Sequence, residues 1–355
     1  KVEGLASSVG VHASGIVISN NSLYESVPLF LGKSEELSTQ WEMGNIEDFG
    51  LIKFDFLGLD ALTKIHRCID LIEKLHNVKI NIDEISLEDD ETFSNLRSGD
   101  SVGIFQLEAS SGMRDLLVQI RPTSLEDITA LVAIYRPGPL ESDYKQTYLN
   151  VRAGTESPSY LIPELEPILK KTGGWLIYQE QVLRIAQQLA GYSMADADLL
   201  RRAIGKKKEK EMLQNAAKFK EGWIKNGYSK DSADEIWDQI VAFANYAFNK
   251  SHAAAYALIT YQTAWLKTHY PTEFMCAIMI SEADNQDDII KCINECKRLG
   301  ITISSPNINT SHASFWVTDK KQINFGLGPI TNLGEKPVEL ILQEREKNGP
   351  FKSFK

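Results

Sequence analysis

The chain has 355 residues, 43% of them apolar and 24% charged, which is long enough for two or more cores and too apolar for wholesale disorder. Lys and Arg number 38 against 48 Asp and Glu, a formal charge of −10, so a uniformly basic polyanion binder is excluded and any polyanion must meet local basic patches. Four cysteines cannot staple a chain of this size, which favours reduced cytosolic thiols, and no apolar run approaches the roughly 18–20 residues of a membrane span.

Taken in chain order, residues 1–60 read as rich in β-structure. Residues 15–19 hold a β-branched run, and residues 50–59 alternate with period two. Helical periodicity takes over at Ala61, with Leu62, Ile65, Ile69 and Ile72 at spacings of three and four. It continues to about Ala283, interrupted by Arg136-Pro137-Gly138-Pro139, Thr172-Gly173-Gly174 and Asn226-Gly227. Residues 286–355 look mixed: a helix over 288–299, β-like stretches at Ile301 and Phe315-Trp316-Val317, and a further helix after Gly334. There is no internal repeat and no low-complexity tract, and no secretory leader is expected at Lys1. The absent initiator Met and the ending on Ser353-Phe354-Lys355 read as an excerpt of a longer protein.

Five segments could carry chemistry. In Ile52-Lys53-Phe54-Asp55-Phe56, a strand would put Lys53 and Asp55 on one face and the apolar residues on the other. Asp55 is then either half of an ion pair on a solvated face or a metal-binding carboxylate held on a rigid strand. The segment Leu199-Leu200-Arg201-Arg202-Ala203-Ile204-Gly205-Lys206-Lys207-Lys208 opens a stretch, 201–225, with nine basic and three acidic side chains. That run is either a solvated helix face or a phosphate-binding patch. Asp196 and Asp198 just upstream resemble a catalytic pair but, two apart at a helix start, point to opposite sides and read as capping acids.

In Phe248-Asn249-Lys250-Ser251-His252-Ala253-Ala254-Ala255, Ser251 reads as an N-cap and the alanines as the helix it opens. The apolar continuation implies burial, so free N–H groups would stand beside Asn249, Lys250, Ser251 and His252 as an anion site. Residues 239–272 contain no acid, which keeps that end electropositive; the alternative is an ordinary capped core helix. Residues 323–337 join a strand-like stretch to a helix through Gly326, Gly328 and Gly334. They form either a plain glycine-rich turn or half of a helix–hairpin–helix whose N–H groups grip a DNA phosphate. Cys292 and Cys296 lack a second pair or a nearby His, so structural thiols are expected rather than zinc.

The ordered set of motifs resembles the α subunit of bacterial DNA polymerase III, a C-family replicative DNA polymerase. The matching stretches include His12-Ala13-Ser14-Gly15-Ile16, Lys53-Phe54-Asp55-Phe56-Leu57-Gly58, Phe105-Gln106-Leu107-Glu108, Tyr135-Arg136-Pro137-Gly138-Pro139 and Tyr178-Gln179-Glu180-Gln181-Val182. They continue through 199–208, 248–257, Tyr261-Gln262-Thr263-Ala264-Trp265 and Tyr270-Pro271-Thr272-Glu273-Phe274, and span nearly the whole chain.

The resemblance implies an α+β, mostly helical fold. Residues 1–60 would be the C-terminal part of a polymerase-β-like nucleotidyltransferase palm, 61–285 a helical fingers domain, and 286–355 the start of the clamp-binding region with its helix–hairpin–helix. Asp55 matches the third of three palm aspartates that hold two Mg²⁺ ions, and would be both catalytic and a metal ligand. Arg201, Arg202, Lys206, Lys207 and Lys208 fall in one motif for the incoming triphosphate, and Asn249, Lys250, Ser251 and His252 in another; Gly326, Gly328 and Gly334 would contact DNA.

The implied function is template-directed synthesis on primer–template DNA from deoxynucleoside triphosphates, in the bacterial cytoplasm. A sliding clamp and other replisome subunits would be partners, and a membrane would not. Two departures stand out: Ser14 replaces a common second glycine, and the palm's paired aspartates are not in this sequence. With one aspartate for two ions, the chain alone is expected to polymerise nothing. The alternatives are a non-catalytic DNA-binding or replisome scaffold and an error-prone paralogue.

Overall fold

A computed structural model describes residues 10–12, 14–32, 35–108, 110–136, 143–205, 209–244 and 246–353. The chain divides into two compact units, one ending at Asp60 and one running from Ala61.

The first unit is built from two antiparallel ribbons. Strand β1 (Gly15–Ile18) pairs with β4 (Ile52–Asp55) in a register that sets Gly15 opposite Asp55 and Ile18 opposite Ile52. Strands β2 (Leu29–Leu31) and β3 (Leu37–Thr39) form the second ribbon. Helix α1 (Met43–Asp48) buries Ile46. Gly50, at φ +86°, turns the chain into β4, where a side chain would be strained. The period-two alternation outruns the strand: pairing stops at Asp55, apart from one bond from Phe56 N–H to the Ser14 carbonyl (2.9 Å).

The second unit is mostly helical and holds three cores. Its first helix, α2 (Asp60–His76), buries Ala61, Ile65, Cys68, Leu71 and Ile72. Of the predicted spacing, Ile65 and Ile72 are buried and Ile69 packs half-buried against the same core, whereas Leu62 faces solvent. Helices α3 (Asp90–Arg97), α4 (Ser111–Ile120), α5 (Leu125–Ile134) and α6 (Asp143–Arg152) follow. The short α7 (Glu166–Leu169) leads to Gly173 and Gly174, both at positive φ. A Cβ on Gly174 would lie 2.5 Å from the Ser159 carbonyl, so this break in the pattern requires glycine.

Helices α8 (Gln179–Gln188), α9 (Met194–Gly205), α10 (Glu209–Lys225) and α11 (Lys230–Ala244) enclose Phe219, Trp223 and Trp237. Gly227, at φ +94°, closes α10 as the Asn226-Gly227 pair suggests. Of the Arg136–Pro139 break only Arg136 is described; the rest lies outside the described residues.

Helix α12 (Lys250–His269) is the axis of the unit. It packs on α5 and α3, and its Tyr261 lies in the same core as Leu131 and Phe93. Helices α13 (Pro271–Ser281) and α14 (Gln286–Arg298) then cover α2 together with a three-stranded sheet. In that sheet β7 (Gln322–Asn324) is central, parallel to β5 (Thr302–Ser304) and antiparallel to β6 (Trp316–Asp319). This third core takes Ile65, Phe274, Cys292 and Ile323 alike, so packing runs continuously across residues 285 and 286. All four cysteines lie in it, unpaired and buried. Burial pushes the thiols of Cys292 and Cys296 up to about 12, which leaves them inert. Helix α15 (Glu335–Asn348) ends the described fold. No described helix is long and apolar enough to cross a membrane.

Candidate functional site

Asp55 ends strand β4 beside two basic side chains. Lys53 Nζ lies 2.5 Å from Oδ1 of Asp55, and His12 Nδ1 lies 3.3 Å from the same oxygen. The two strand residues share a face, as their spacing requires, and the Lys53 hydrogen bond holds the Asp55 carboxyl below its usual range. Gly15 makes this approach feasible: a Cβ there would fall 2.6 Å from Lys53 Cε and 2.7 Å from His12 Nδ1. The His-Ala-Ser-Gly and Lys-Phe-Asp motifs thus meet at one carboxylate. Among the described residues no group of three or more His, Cys, Asp or Glu side chains is arranged to hold a metal ion.

The start of α12 is a second cluster. Asn249, not Ser251, is the N-cap: its backbone is extended and its side chain accepts from His252 N–H at 2.8 Å. The cap lies two residues earlier than the alanine run suggests, because Gln179 N–H binds the Phe248 carbonyl (2.8 Å) and holds the chain extended up to that point. The terminus is also less positive than its local sequence. Glu180 accepts from Lys250 N–H at 2.8 Å and from Asn249 Nδ2 at 3.0 Å. Glu126 holds Lys250 Nζ at 2.6 Å, and that ammonium lies 5.1 Å from the centre of the Tyr178 ring. Acids missing from residues 239–272 arrive by tertiary packing. Ser251 and His252 remain exposed.

An aromatic row extends from this terminus. The Arg136 guanidinium stacks 4.2 Å over Phe248 and donates to the Tyr246 carbonyl at 2.7 Å. Phe248 meets His252 edge-on, His252 lies 4.3 Å from Tyr256, and Tyr256 packs on Phe105. Phe105 N–H is fixed by Thr263 Oγ1 at 3.1 Å. Four motifs that are distant in sequence, around residues 105, 136, 180 and 250, therefore converge at one helix end.

The arginines of α9 are engaged with a neighbour. Asp198 Oδ1 accepts from Arg201 Nε at 2.9 Å, and Oδ2 accepts from Arg202 Nε at 2.8 Å. The Arg201 hydrogen bond is the main influence that holds the Asp198 carboxyl below its usual range. Asp198 is thus an ion-pair partner rather than a cap. Asp196 does belong to the helix start: Ser193 Oγ accepts its N–H (3.1 Å) and donates to its Oδ2 (2.7 Å), while Lys218 pairs with Oδ1. Arg202 is 64% exposed along its side chain and Arg201 30%. Lys206, Lys207 and Lys208 lie outside the described residues. Among the described residues no hydrogen bond or ion pair joins these arginines to residues 249–252.

The glycines of residues 326–334 separate into two kinds. A Cβ on Gly326 would lie 2.6 Å from the Ser314 carbonyl carbon, and one on Gly328 would lie 2.9 Å from the Ala313 carbonyl oxygen. The Gly328 N–H is already given to that oxygen at 2.8 Å. Gly334, the N-cap of α15, has room for a Cβ, which would meet only Pro337 Cδ at an ordinary 3.9 Å. The turn joins a strand, not a helix, to α15, and α15 is the one helix of residues 300–353 among the described residues. The local sequence assigns Lys53 as the partner of Asp55 but gives His12, Glu180, Glu126 and Arg136 no role. Glu180 and Arg136 stood inside quoted motifs, whereas nothing local marked Glu126.

Three family models match in succession. Residues 1–58 match the bacterial DNA polymerase III alpha NTPase domain, residues 61–227 the finger domain of the same subunit, and residues 300–355 a helix–hairpin–helix motif. The whole chain is 44% identical to the DNA polymerase III subunit alpha of Pasteurella multocida, 42% to that of Aquifex aeolicus and 41% to that of Escherichia coli. The chain spans about 31%, 30% and 31% of those relatives' lengths.

Proposed function

Because the chain belongs to the family of bacterial DNA polymerase III α subunits, we propose that it forms the nucleotide-binding fingers and carries one catalytic carboxylate of a DNA-directed DNA polymerase. The observation that carries this reading is the convergence of four distant motifs on the α12 terminus. Helix N–H groups, the Lys250 ammonium and the exposed side chains of Ser251 and His252 suit the phosphates of a deoxynucleoside triphosphate. The aromatic row beside them suits a base. Arg201 and Arg202 on α9, and the three lysines that follow, supply further positive charge for the leaving pyrophosphate. Gly334, with its open N-cap at α15, is the position best placed to meet a DNA phosphate without reading sequence.

Asp55 fits the chemistry of a metal ligand in kind but not in number. Mg²⁺ requires an octahedral oxygen shell, and Asp55 offers one carboxylate next to Lys53 and His12. The two-ion centre of the proposed reaction therefore needs carboxylates beyond the described residues, and the 355-residue chain alone is proposed to extend no primer. When bound, such ions acidify the primer hydroxyl and stabilise charge on the transferred phosphate. Asp55 itself contributes an ionised carboxylate, kept so by Lys53. Primer–template DNA, deoxynucleoside triphosphates, a sliding clamp and replisome subunits are the partners of this reading, and the bacterial cytoplasm is its setting. In the full-length protein, Asp55→Asn is expected to lower primer extension at least a thousandfold while primer–template affinity holds. Unchanged extension would remove Asp55 from catalysis, and a purified 1–355 chain that extended primers would overturn the requirement for further carboxylates.

A further inference from the structure

The N-terminus of α12 already holds an anion, and the anion is the protein's own. Glu180, in the first turn of α8, places Oε2 2.8 Å from Lys250 N and Oε1 3.0 Å from Asn249 Nδ2. These donors, one main-chain and one amide, are of the kind that phosphate oxygens take at a helix N-terminus. A second carboxylate, Glu126, holds the Lys250 ammonium at 2.6 Å and has Lys171 3.8 Å from its other oxygen. The two acids stand 70 and 124 positions away from Lys250 in sequence. The terminus is therefore filled by tertiary design rather than by local composition.

A carboxylate and a phosphate want the same donors and repel each other, so both cannot occupy this terminus. Glu180 has somewhere else to rest. It is half-buried, and as a first-turn acid of α8 it remains favourably placed against that helix's own N–H groups after release. Asn249 gains freedom in the same step: its Oδ1 still caps His252, while its Nδ2 becomes available. We propose that Glu180 is a gate on the α12 anion site, closed when its carboxylate takes the Lys250 N–H and Asn249 Nδ2, and opened when the triphosphate of an incoming nucleotide displaces it. This inference rests on the reading of the α12 terminus as the triphosphate site.

The gate makes a prediction opposite in sign to that for a supporting residue. Glu180→Gln keeps the size of the side chain but removes its charge, so the resident competitor is weaker. In the full-length polymerase on a dideoxy-terminated primer–template, the variant is expected to bind a deoxynucleoside triphosphate about three- to tenfold more tightly. That is the difference between a charge-assisted and a neutral hydrogen bond. Inhibition by inorganic pyrophosphate should strengthen in parallel, while primer–template affinity stays constant. Asn249→Ala, measured beside it, separates the two ideas. Weaker nucleotide binding in Asn249→Ala with unchanged or weaker binding in Glu180→Gln would keep the site and overturn the gate. Unchanged binding in both would overturn the site and the gate together. If Glu180→Gln fails to fold, Glu180→Asp, whose shorter reach cannot span both donors, must tighten nucleotide binding for the gate to stand.

Discussion

The ammonium of Lys267 lies 2.6 Å from Oε1 of Glu295, and both side chains are sealed from solvent. The pair is part of a closed network. Lys267 Nζ also reaches Asp100 Oδ1 at 2.5 Å and the Val102 carbonyl at 2.7 Å, so its three protons are all placed. Arg298 completes it by donating to Glu295 and pairing with Asp100. The network ties α14 and the loop at residues 100–108 to α12, and that loop carries Phe105 to Tyr256 at the edge of the candidate site. Lys267→Met would leave Asp100 and Glu295 buried beside too little positive charge. Removing one partner of a buried pair costs about 3–5 kcal/mol, and urea unfolding should record a loss of that size.

The same network sets an acid limit. Burial alone would raise the Glu295 pKa, but hydrogen bonds from Arg298 and Lys267 overrule it and hold the carboxyl at about 2. A depressed folded-state pKa contributes stability above the unfolded value and loses it as pH falls through the folded one. Glu295 should therefore withdraw stabilisation between about pH 4.5 and about pH 2. Glu295→Gln, although less stable at neutral pH, should show a shallower fall in melting temperature across that window. Parallel slopes for the two proteins would count against the assignment.

What the sequence disclosed and what it concealed follow one physical distinction. Strand β4, helix α12 and the helical breaks at Gly173 and Gly227 are local: periodicity, capping residues and positive-φ glycines announce them within a few positions. The Lys53–Asp55 pair was legible for the same reason, since alternate residues on a strand share a face. Glu180 and Glu126 at the α12 terminus, and Arg136 over Phe248, depend on contacts across 70 or more residues, which no local window contains. The N-cap moved from Ser251 to Asn249 because a distant backbone group, Gln179 N–H, fixes the Phe248 carbonyl. The Lys267 network was hidden too, because a lysine inside an apolar helix reads locally as one exposed position.

The turn glycines of residues 326–334 should respond differently to one methyl group. In Gly326→Ala the new Cβ meets the Ser314 backbone, which cannot swing away as a side chain would. Overpacking of this kind costs about 1–3 kcal/mol. Gly334→Ala makes only an ordinary contact, with Pro337 Cδ at 3.9 Å, and should cost less, of the order of 0.5–1 kcal/mol for a poorer N-cap. The DNA-binding reading makes the opposite ranking for affinity: Gly334→Ala should weaken primer–template binding more than its stability loss accounts for. Equal affinity for wild type and Gly334→Ala, measured by fluorescence anisotropy, would leave that glycine a structural turn residue only.

Arg201 and Arg202 provide the sharpest test of the α9 segment, because Asp198 offers a complete structural explanation for both. Exposed pairs at i,i+3 and i,i+4 on a helix are worth only about 0.3–0.5 kcal/mol each. If the arginines serve Asp198 alone, replacing them with Ala should therefore leave both stability and kinetics nearly unchanged. If they hold the triphosphate, the side chains must leave Asp198 for phosphate oxygens, where a fork of donors is worth more than the ion pair it gives up. The double variant should then raise the KM for nucleotide at least tenfold, lower turnover and leave the melting temperature within about 2 °C, since a loss below 1 kcal/mol moves a domain of this size little. Asp198→Asn should go the other way, lowering that KM modestly by releasing the guanidinium groups. Unchanged KM and turnover in the double-alanine protein would return both arginines to a solvated helix face.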